Sequence, residues 1–157
     1  MRDGELLSRF GLRHAEAVVI LLVTLAGMPA WAVDNPGAPN YVAAFEQRAK
    51  PYEDQISQAA GTGAVVAAYA GYERFLDEEL NHAYAALARK LDMPRKRQLQ
   101  RSQRAWLAFR DAETAFITNN WTMRQFGSSS HLSRGAYRST IARDRILGLL
   151  NYLKNYP

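Results

Sequence analysis

The stretch QRAWLAFRDAETAF, residues 103–116, decides the fold expected for this chain. With a rotation of about 100° per residue, the stretch and its neighbours place their large apolar side chains on one broad helical arc. That arc holds Leu99, Trp106, Leu107, Phe109, Phe116 and Ile117. Arg110 lies near its middle, and a guanidinium there needs a partner because an unpaired buried charge is very costly. The stretch therefore predicts a helix with a polar cluster in its packed face.

A second arginine repeats this pattern near the carboxyl end of the chain. Arg143 lies within the apolar stripe of the last predicted helix, as Arg110 does in its own. Asp77 and Glu113 are the expected counter-charges, and neutral polar side chains complete the hydrogen bonds of the predicted network. These neutral members are Asn81, Tyr84, Gln103 and Thr140. The network is open to three interpretations: a closed structural cluster, a solvent-accessible binding site, or acid–base chemistry by a carboxyl group in a cleft.

Helical periodicity extends over most of the chain. Apolar residues at spacings of three and four predict a first helix over 41–58, a second over 64–91, and a third from 93 to about 120. The last helix is expected over 133–154. We therefore predict an all-α fold, a small antiparallel bundle of three long helices and a shorter N-terminal one.

Capping and helix-breaking residues set the expected boundaries. Asn40, Thr62 and Asp92 are suited to cap the first three helices, and Pro51 is expected to interrupt or restart the first. Residues 126–131, Phe-Gly-Ser-Ser-Ser-His, predict a loop.

The amino-terminal segment has the pattern of an export signal. A basic start precedes an apolar run over residues 17–27, and Pro-Ala-Trp-Ala at 29–32 fits a signal-peptidase site. We expect a signal peptide over 1–32, a mobile leader over 33–40, and a single helical domain over 41–157. The chain contains no cysteine, so neither a disulfide nor a lipid anchor on cysteine is expected. The sequence thus predicts a periplasmic or secreted protein without a membrane anchor after cleavage.

Charge is divided unevenly between the two halves of the expected mature chain. Residues 33–86 carry 3 basic and 8 acidic side chains, whereas residues 87–157 carry 14 basic and 4 acidic ones. This division indicates either a dipolar bundle whose halves attract each other, or a basic surface for an anionic partner such as an acidic protein or a cell-envelope polymer. No nucleic-acid reading motif accompanies the basic residues, so a nucleic-acid partner is not expected.

Sequence signals of catalysis are absent. The chain has no glycine-rich phosphate loop, no Gly-x-Ser-x-Gly, no His-Glu-x-x-His and no cysteine nucleophile. His131 has no second histidine or cysteine at ligand spacing, so it is interpreted as a surface residue and no metal is predicted. Trp106 is expected in the core, while Trp121 is the better candidate for an exposed contact. We predict a binding protein that is not an enzyme and needs no cofactor.

The motif around Arg110 resembles that of the LprI-type lysozyme-inhibitor family. Asp-x-x-Leu-Asn-x-x-Tyr-x-x-Leu at 77–87 precedes Gln-Arg-Ala-Trp-Leu-x-x-Arg-Asp-Ala-Glu at 103–113, and Thr-x-x-Arg-x-x-x-Leu follows at 140–147. Family members often have a cysteine at the position of Thr114, so this chain is similar to a cysteine-free variant. The motif positions that the resemblance carries over are Asp77, Asn81, Tyr84, Gln103, Trp106, Arg110, Asp111, Glu113 and Arg143.

The resemblance implies a small exported helical domain that inhibits lysozyme or a related peptidoglycan-cleaving enzyme. Animal lysozymes are usually basic, so the acidic half around Asp77 is expected to contact them. The candidate contact residues are Glu73, Glu78, Glu79, Trp121 and His131. The alternative is a periplasmic envelope interaction or toxin-immunity module that does not bind lysozyme.

Overall fold

A computed structural model describes Asn35 and residues 37–156 of the 157-residue chain. The helices of this part are α1 (Tyr41–Gln58), α2 (Thr62–Lys90), α3 (Met93–Asn120), α4 (Met123–Phe126) and α5 (Ser129–Lys154). The described residues contain no strand, which confirms the all-helical prediction. The predicted signal peptide and the first residues of the leader lie outside the described residues.

Two of the three predicted helix caps are present. The side chain of Asn40 accepts a hydrogen bond from the backbone N–H of Ala43 (2.9 Å), and Asp92 accepts one from Arg95 (2.9 Å). Each satisfies an N–H group that the helix leaves without a partner. The prediction for Thr62 is wrong because Gly61 occupies the cap position. Its φ of +84° is one that glycine adopts without the steric cost of a side chain.

Pro51 does not interrupt α1, contrary to the sequence prediction. The helix continues from Tyr41 to Gln58 with Pro51 in its interior. Phe45 and Ala49 on one side of the proline are buried, and Tyr52 and Ile56 on the other side pack against the same core. This packing on both sides fixes the direction of the helix and offsets the backbone hydrogen bond that the proline ring removes.

The predicted loop over 126–131 is also largely helical. The one-turn helix α4 ends at Phe126 and is capped by Gly127, whose φ is +59°. Helix α5 begins at Ser129, four residues before the predicted start. Hydroxyl groups explain the difference. Ser129 donates to the carbonyl of Phe126 (2.6 Å), and the fully buried Ser130 donates to that of Gly127 (2.8 Å). These side-chain bonds organise a short turn that leads directly into the last helix.

Helices α2 and α5 form the broadest contact of the described chain. Tyr69 lies against Gly135 and Glu73 pairs with Arg138, so residue numbers rise together along the two helices. The core residues that are fully buried include Phe45 of α1, Leu76 of α2, and Ile146 and Leu149 of α5. The core therefore lies between α1, α2 and α5.

Helix α3 lies at the margin of this core. Its buried residues are Leu99 and Ile117, and Trp106 packs against the core while half-buried. Phe109 and Phe116 are 53% and 55% exposed, which corrects the prediction that they share the packed arc. The buried face centres on Trp106 and Ile117, so both phenylalanines lie at its outer edge. None of the described helices is long and apolar enough to span a membrane.

Candidate functional site

Several of the predicted motif residues meet at an open groove between α2 and α3. The groove has a volume of about 590 Å³. Its walls are formed by Asp77, Leu80, Asn81 and Tyr84 of α2 and by Gln100, Gln103, Arg104, Leu107 and Arg110 of α3. Five motif positions of the sequence prediction are among them. The groove therefore gathers amide, phenol, carboxylate and guanidinium groups on one concave surface.

Arg110 is half-buried on the wall of this groove, with its side chain 31% exposed. Its guanidinium lies 3.6 Å from the carboxylate of Asp77 and donates to Asp111 (3.0 Å), and it stacks over the Trp106 ring at 5.5 Å. Asp77 is thus a partner as predicted, although the closed cluster is not formed. Glu113 makes no hydrogen bond or ion pair with any residue that the structure describes, which corrects its predicted role as counter-charge.

The two neutral polar side chains of α2 in the groove are free to bind. Asn81 is exposed and Tyr84 is half-buried, and neither side chain makes a hydrogen bond within the described part of the chain. The amide and the phenol each carry both donor and acceptor capacity. This wall can therefore hydrogen-bond to a ligand or a partner without first breaking an internal contact.

The opposite wall of the groove is positioned by α5. Gln103 accepts a hydrogen bond from Nε of Arg145 (3.1 Å), and the Arg145 guanidinium also donates to Ser102 (3.2 Å) and lies 5.9 Å from the Trp106 ring. Burial lowers the pKa of Arg145. Because an arginine stays charged even so, this contact continues to tie α3 to α5.

Arg143 binds acidic residues that the sequence prediction did not assign to it. Its guanidinium pairs with Glu46 and with Glu53 (3.0 Å) of α1 and lies 3.4 Å from the Tyr72 hydroxyl. The prediction that Arg143 pairs with Asp77 and Glu113 is therefore wrong. Burial acts to lower the pKa of Arg143, but hydrogen bonds with Glu46 and Tyr72 outweigh it and raise the pKa. Thr140, also predicted for this network, is exposed and donates instead to a carbonyl of its own helix.

A second ion pair, between the buried Glu79 and the exposed Arg48, was missed by the sequence analysis. Arg48 binds Glu79 through two hydrogen bonds of 2.8 and 2.7 Å, and the Glu79 side chain is only 10% exposed. The signal was available, because Glu79 follows Leu76 and precedes Ala83 at helical spacing within the apolar stripe. Helical spacing likewise places Glu46 and Glu53 next to the buried Ala49 on α1, three residues before it and four residues after it.

Ion pairs also connect the acidic and basic halves of the chain. Arg138 of α5 binds Glu73 of α2 (2.8 Å), Arg143 binds acidic residues of α1, and Arg110 lies near Asp77. These contacts support the interpretation that the acidic and basic halves of the chain attract each other.

The predicted partner-contact residues differ in their availability. Glu79 is buried by Arg48, and Glu73 is engaged by Arg138, so neither presents a free carboxylate. Glu78 is exposed. Trp121 is half-buried between Phe116 and Tyr137, and half-buried His131 lies 3.2 Å from Arg134. In the described residues no group of three or more histidine, cysteine or acidic side chains could hold a metal.

The fold and the groove define a small helical domain with a polar concave surface, and comparison with known families gives its class. The family model described as lysozyme inhibitor LprI matches residues 53–149, more than half of the chain. The chain belongs to this family, as the motif around Arg110 indicated. No curated protein and no solved structure matches the chain. The matched region begins within α1 and ends within α5, so it includes both walls of the groove.

Proposed function

We propose that this protein is exported and inhibits lysozyme or a related peptidoglycan-cleaving enzyme by covering it with the α2–α3 groove. Family membership supports inhibition. The observation that supports the groove as the contact surface is that Asp77, Asn81, Tyr84, Gln103 and Arg110 line it together. A closed structural network would have buried these groups and paired them with one another.

The shape of the groove favours covering over plugging. A concave surface cannot enter the substrate cleft of a glycan hydrolase, but it can receive a convex rim of that cleft. The α2 side of the groove is acidic, because Asp77 and Glu78 are exposed there, whereas Arg104 and Arg110 line the α3 wall. A basic enzyme is therefore attracted to the α2 side. The free groups of Asn81 and Tyr84 then supply the hydrogen bonds that fix orientation.

The inhibition assay compares two adjacent residues of α2. Asn81 lines the groove, whereas His82 is exposed and outside it. Asn81→Arg fills the groove with a long cationic side chain, and His82→Arg places the same side chain on the neighbouring surface. The rate of turbidity loss of a peptidoglycan suspension is measured with basic lysozymes and bacterial muralytic enzymes. We expect the parent and His82→Arg to slow lysis and Asn81→Arg to lose at least about tenfold in affinity, which corresponds to about 1.4 kcal/mol.

Two results of this assay would contradict the proposal. A parent protein that leaves every tested enzyme unaffected at micromolar excess would exclude inhibition. Equal potency of Asn81→Arg and His82→Arg would keep inhibition but move the contact away from the groove. Circular dichroism of both variants controls for folding, which we expect to be intact because both sites are exposed.

Export is proposed on the amino-terminal pattern alone. The proposed division is a signal peptide over 1–32, a mobile leader over 33–40 and the helical domain over 41–157. Within that domain we also propose that helices adjacent in the chain run antiparallel. Intact mass of the protein recovered from the periplasm or medium tests the first boundary. A chain that begins at Val33 is expected, and a chain that retains residues 1–32 would exclude cleavage there.

The alternative proposal is an envelope interaction or immunity module. The exposed Arg97, Arg101 and Arg104 of α3 favour it, because they present a cationic surface to an acidic partner. Capture from a periplasmic extract distinguishes the two proposals. A stable partner that is not a glycan hydrolase supports the alternative, and a glycan hydrolase supports inhibition.

A further inference from the structure

Helix α3 presents an apolar face to solvent on the side away from the groove. Phe109 and Phe116 are 53% and 55% exposed. Four alanines share this face with them at heptad-like spacing, and all four are exposed. They are Ala105, Ala108, Ala112 and Ala115. A rotation of about 100° per residue places the centre of this face opposite the residues of α3 that line the groove.

The face continues into a cluster of aromatic residues beyond the end of α3. Phe116 contacts Trp121 edge-on at 5.7 Å between ring centroids, and Trp121 lies 4.7 Å from Tyr137 of α5. Tyr137 is itself 46% exposed. A contiguous exposed surface of this kind marks an interaction site in soluble proteins. The small alanines allow the backbone of a second helix to approach closely between the phenylalanines.

Charges at the edge of this face identify the partner. Arg104 and Asp111 lie seven residues apart on the same flank of the face, on either side of Ala108. Both side chains are exposed. Arg104 has no ion-pair partner among the described residues, and Arg110 contacts one of the two carboxylate oxygens of Asp111. When two antiparallel copies of α3 meet about a two-fold axis near Ala108, Arg104 of each copy faces Asp111 of the other. The same register brings Arg101 of one copy to the Phe116 ring of the other, a favourable cation–π arrangement.

We propose that the α3 face binds a second copy of this chain in a symmetric antiparallel helix pair. The pattern is self-complementary, as a two-fold interface requires, because each contact between one residue and its partner occurs twice. Arg97 and Arg101 on the amino-terminal half of this face would attract an anionic membrane surface, whereas Asp111 and Glu113 on its carboxyl-terminal half would be repelled by it. A second antiparallel copy instead sets the basic half of one helix against the acidic half of the other. Arg104 also lines the groove, so the helix pair borders each groove at this residue, while the α2 wall with Asn81 and Tyr84 stays accessible.

Cysteine cross-linking tests the geometry, because the chain has no cysteine of its own. Ala108→Cys places a thiol near the two-fold axis, and Ala85→Cys places one on an exposed position of α2 as the matched control. Under mild oxidation we expect Ala108→Cys to form a disulfide-linked dimer in high yield and Ala85→Cys to remain mostly monomeric. Equal yields from the two variants would overturn the proposal.

Sedimentation equilibrium over micromolar to millimolar concentrations tests the energetics. We expect a concentration-dependent dimer that Phe109→Glu weakens by at least about tenfold, whereas Tyr152→Glu, at an equally exposed aromatic residue outside the face, leaves it unchanged. Arg104→Glu should weaken the dimer, and adding Asp111→Arg should restore it. A protein that stays monomeric, or a dimer insensitive to Phe109→Glu, would overturn the proposal, as would vesicle binding by a monomer.

Discussion

Gly135 provides the sharpest test of the α2–α5 packing. It is buried in the second turn of α5, inside the helix, where propensity alone favours alanine by about 1 kcal/mol. A methyl group at this position would lie 2.3 Å from Cγ of the buried Tyr69, about 1 Å inside ordinary van der Waals contact, which begins at 3.4 Å. Cγ is the ring carbon bonded to Cβ, so it cannot move away without a change in χ1 of the tyrosine or in the spacing of the two helices.

Packing strain decides whether Gly135→Ala raises or lowers the free energy of unfolding. Overpacking of a core costs about 1–3 kcal/mol, and shifting a ring in the broadest helix contact belongs at the upper end. After the propensity gain, we expect a net loss of about 2 kcal/mol in the free energy of unfolding. Such a loss lowers Tm by roughly 6–10 °C in a domain of this size.

Gly148→Ala is the matched control for this substitution. Gly148 lies in the same helix, and nothing lies within 4 Å of the added methyl group. This variant should gain about 0.5–1 kcal/mol from propensity. Urea and thermal unfolding followed by far-ultraviolet circular dichroism measure both. If Gly135→Ala is as stable as Gly148→Ala, the α2–α5 packing described here is incorrect.

Three further perturbations test a helix cap, an ion pair and a buried tyrosine. Asp92→Ala removes the N-cap of α3, and urea unfolding should report a loss of about 1 kcal/mol; an unchanged midpoint would contradict the cap. Arg143→Gln leaves Glu46 and Glu53 without their cation, so we expect a loss of about 2 kcal/mol in the same assay, below the value for a fully buried pair because solvent reaches the site. Burial raises the pKa of Tyr72, so the folded protein keeps this proton at higher pH than the unfolded chain. Its contribution to stability is lost as pH rises beyond about 10, and Tyr72→Phe should flatten this alkaline decline in pH-dependent thermal unfolding.

Capping rules predicted two of the three expected helix caps from single residues. Asn40 and Asp92 cap α1 and α3 as expected because capping depends on a side chain and the next few amides. Pro51 was misjudged because its effect depends on core contacts several residues away. The turn before Ser129 was missed because serine hydroxyls satisfy carbonyls that a sequence pattern leaves unpaired.

Five of the predicted motif residues line one groove, but the pairing of the two arginines was not predicted. Arg110 and Arg143 both contact carboxylates, yet Arg143 uses Glu46 and Glu53 of α1 because the last helix packs beside the first. Helical periodicity gives the direction of a side chain around its own helix. It does not give the neighbouring helix that receives it, and α3 accordingly lies farther from the core than its aromatic content suggested.

The measurement that tests the central claim most directly is an NMR titration of the labelled protein with the inhibited enzyme. Side-chain amide signals of Asn81, Gln100 and Gln103 and the Arg110 Nε–H signal report on the groove, and Gln47, exposed on α1, serves as reference. We predict that the groove signals shift or broaden on saturation while Gln47 does not. Groove signals that stay unchanged while signals elsewhere shift would contradict the assignment of the groove as the binding surface.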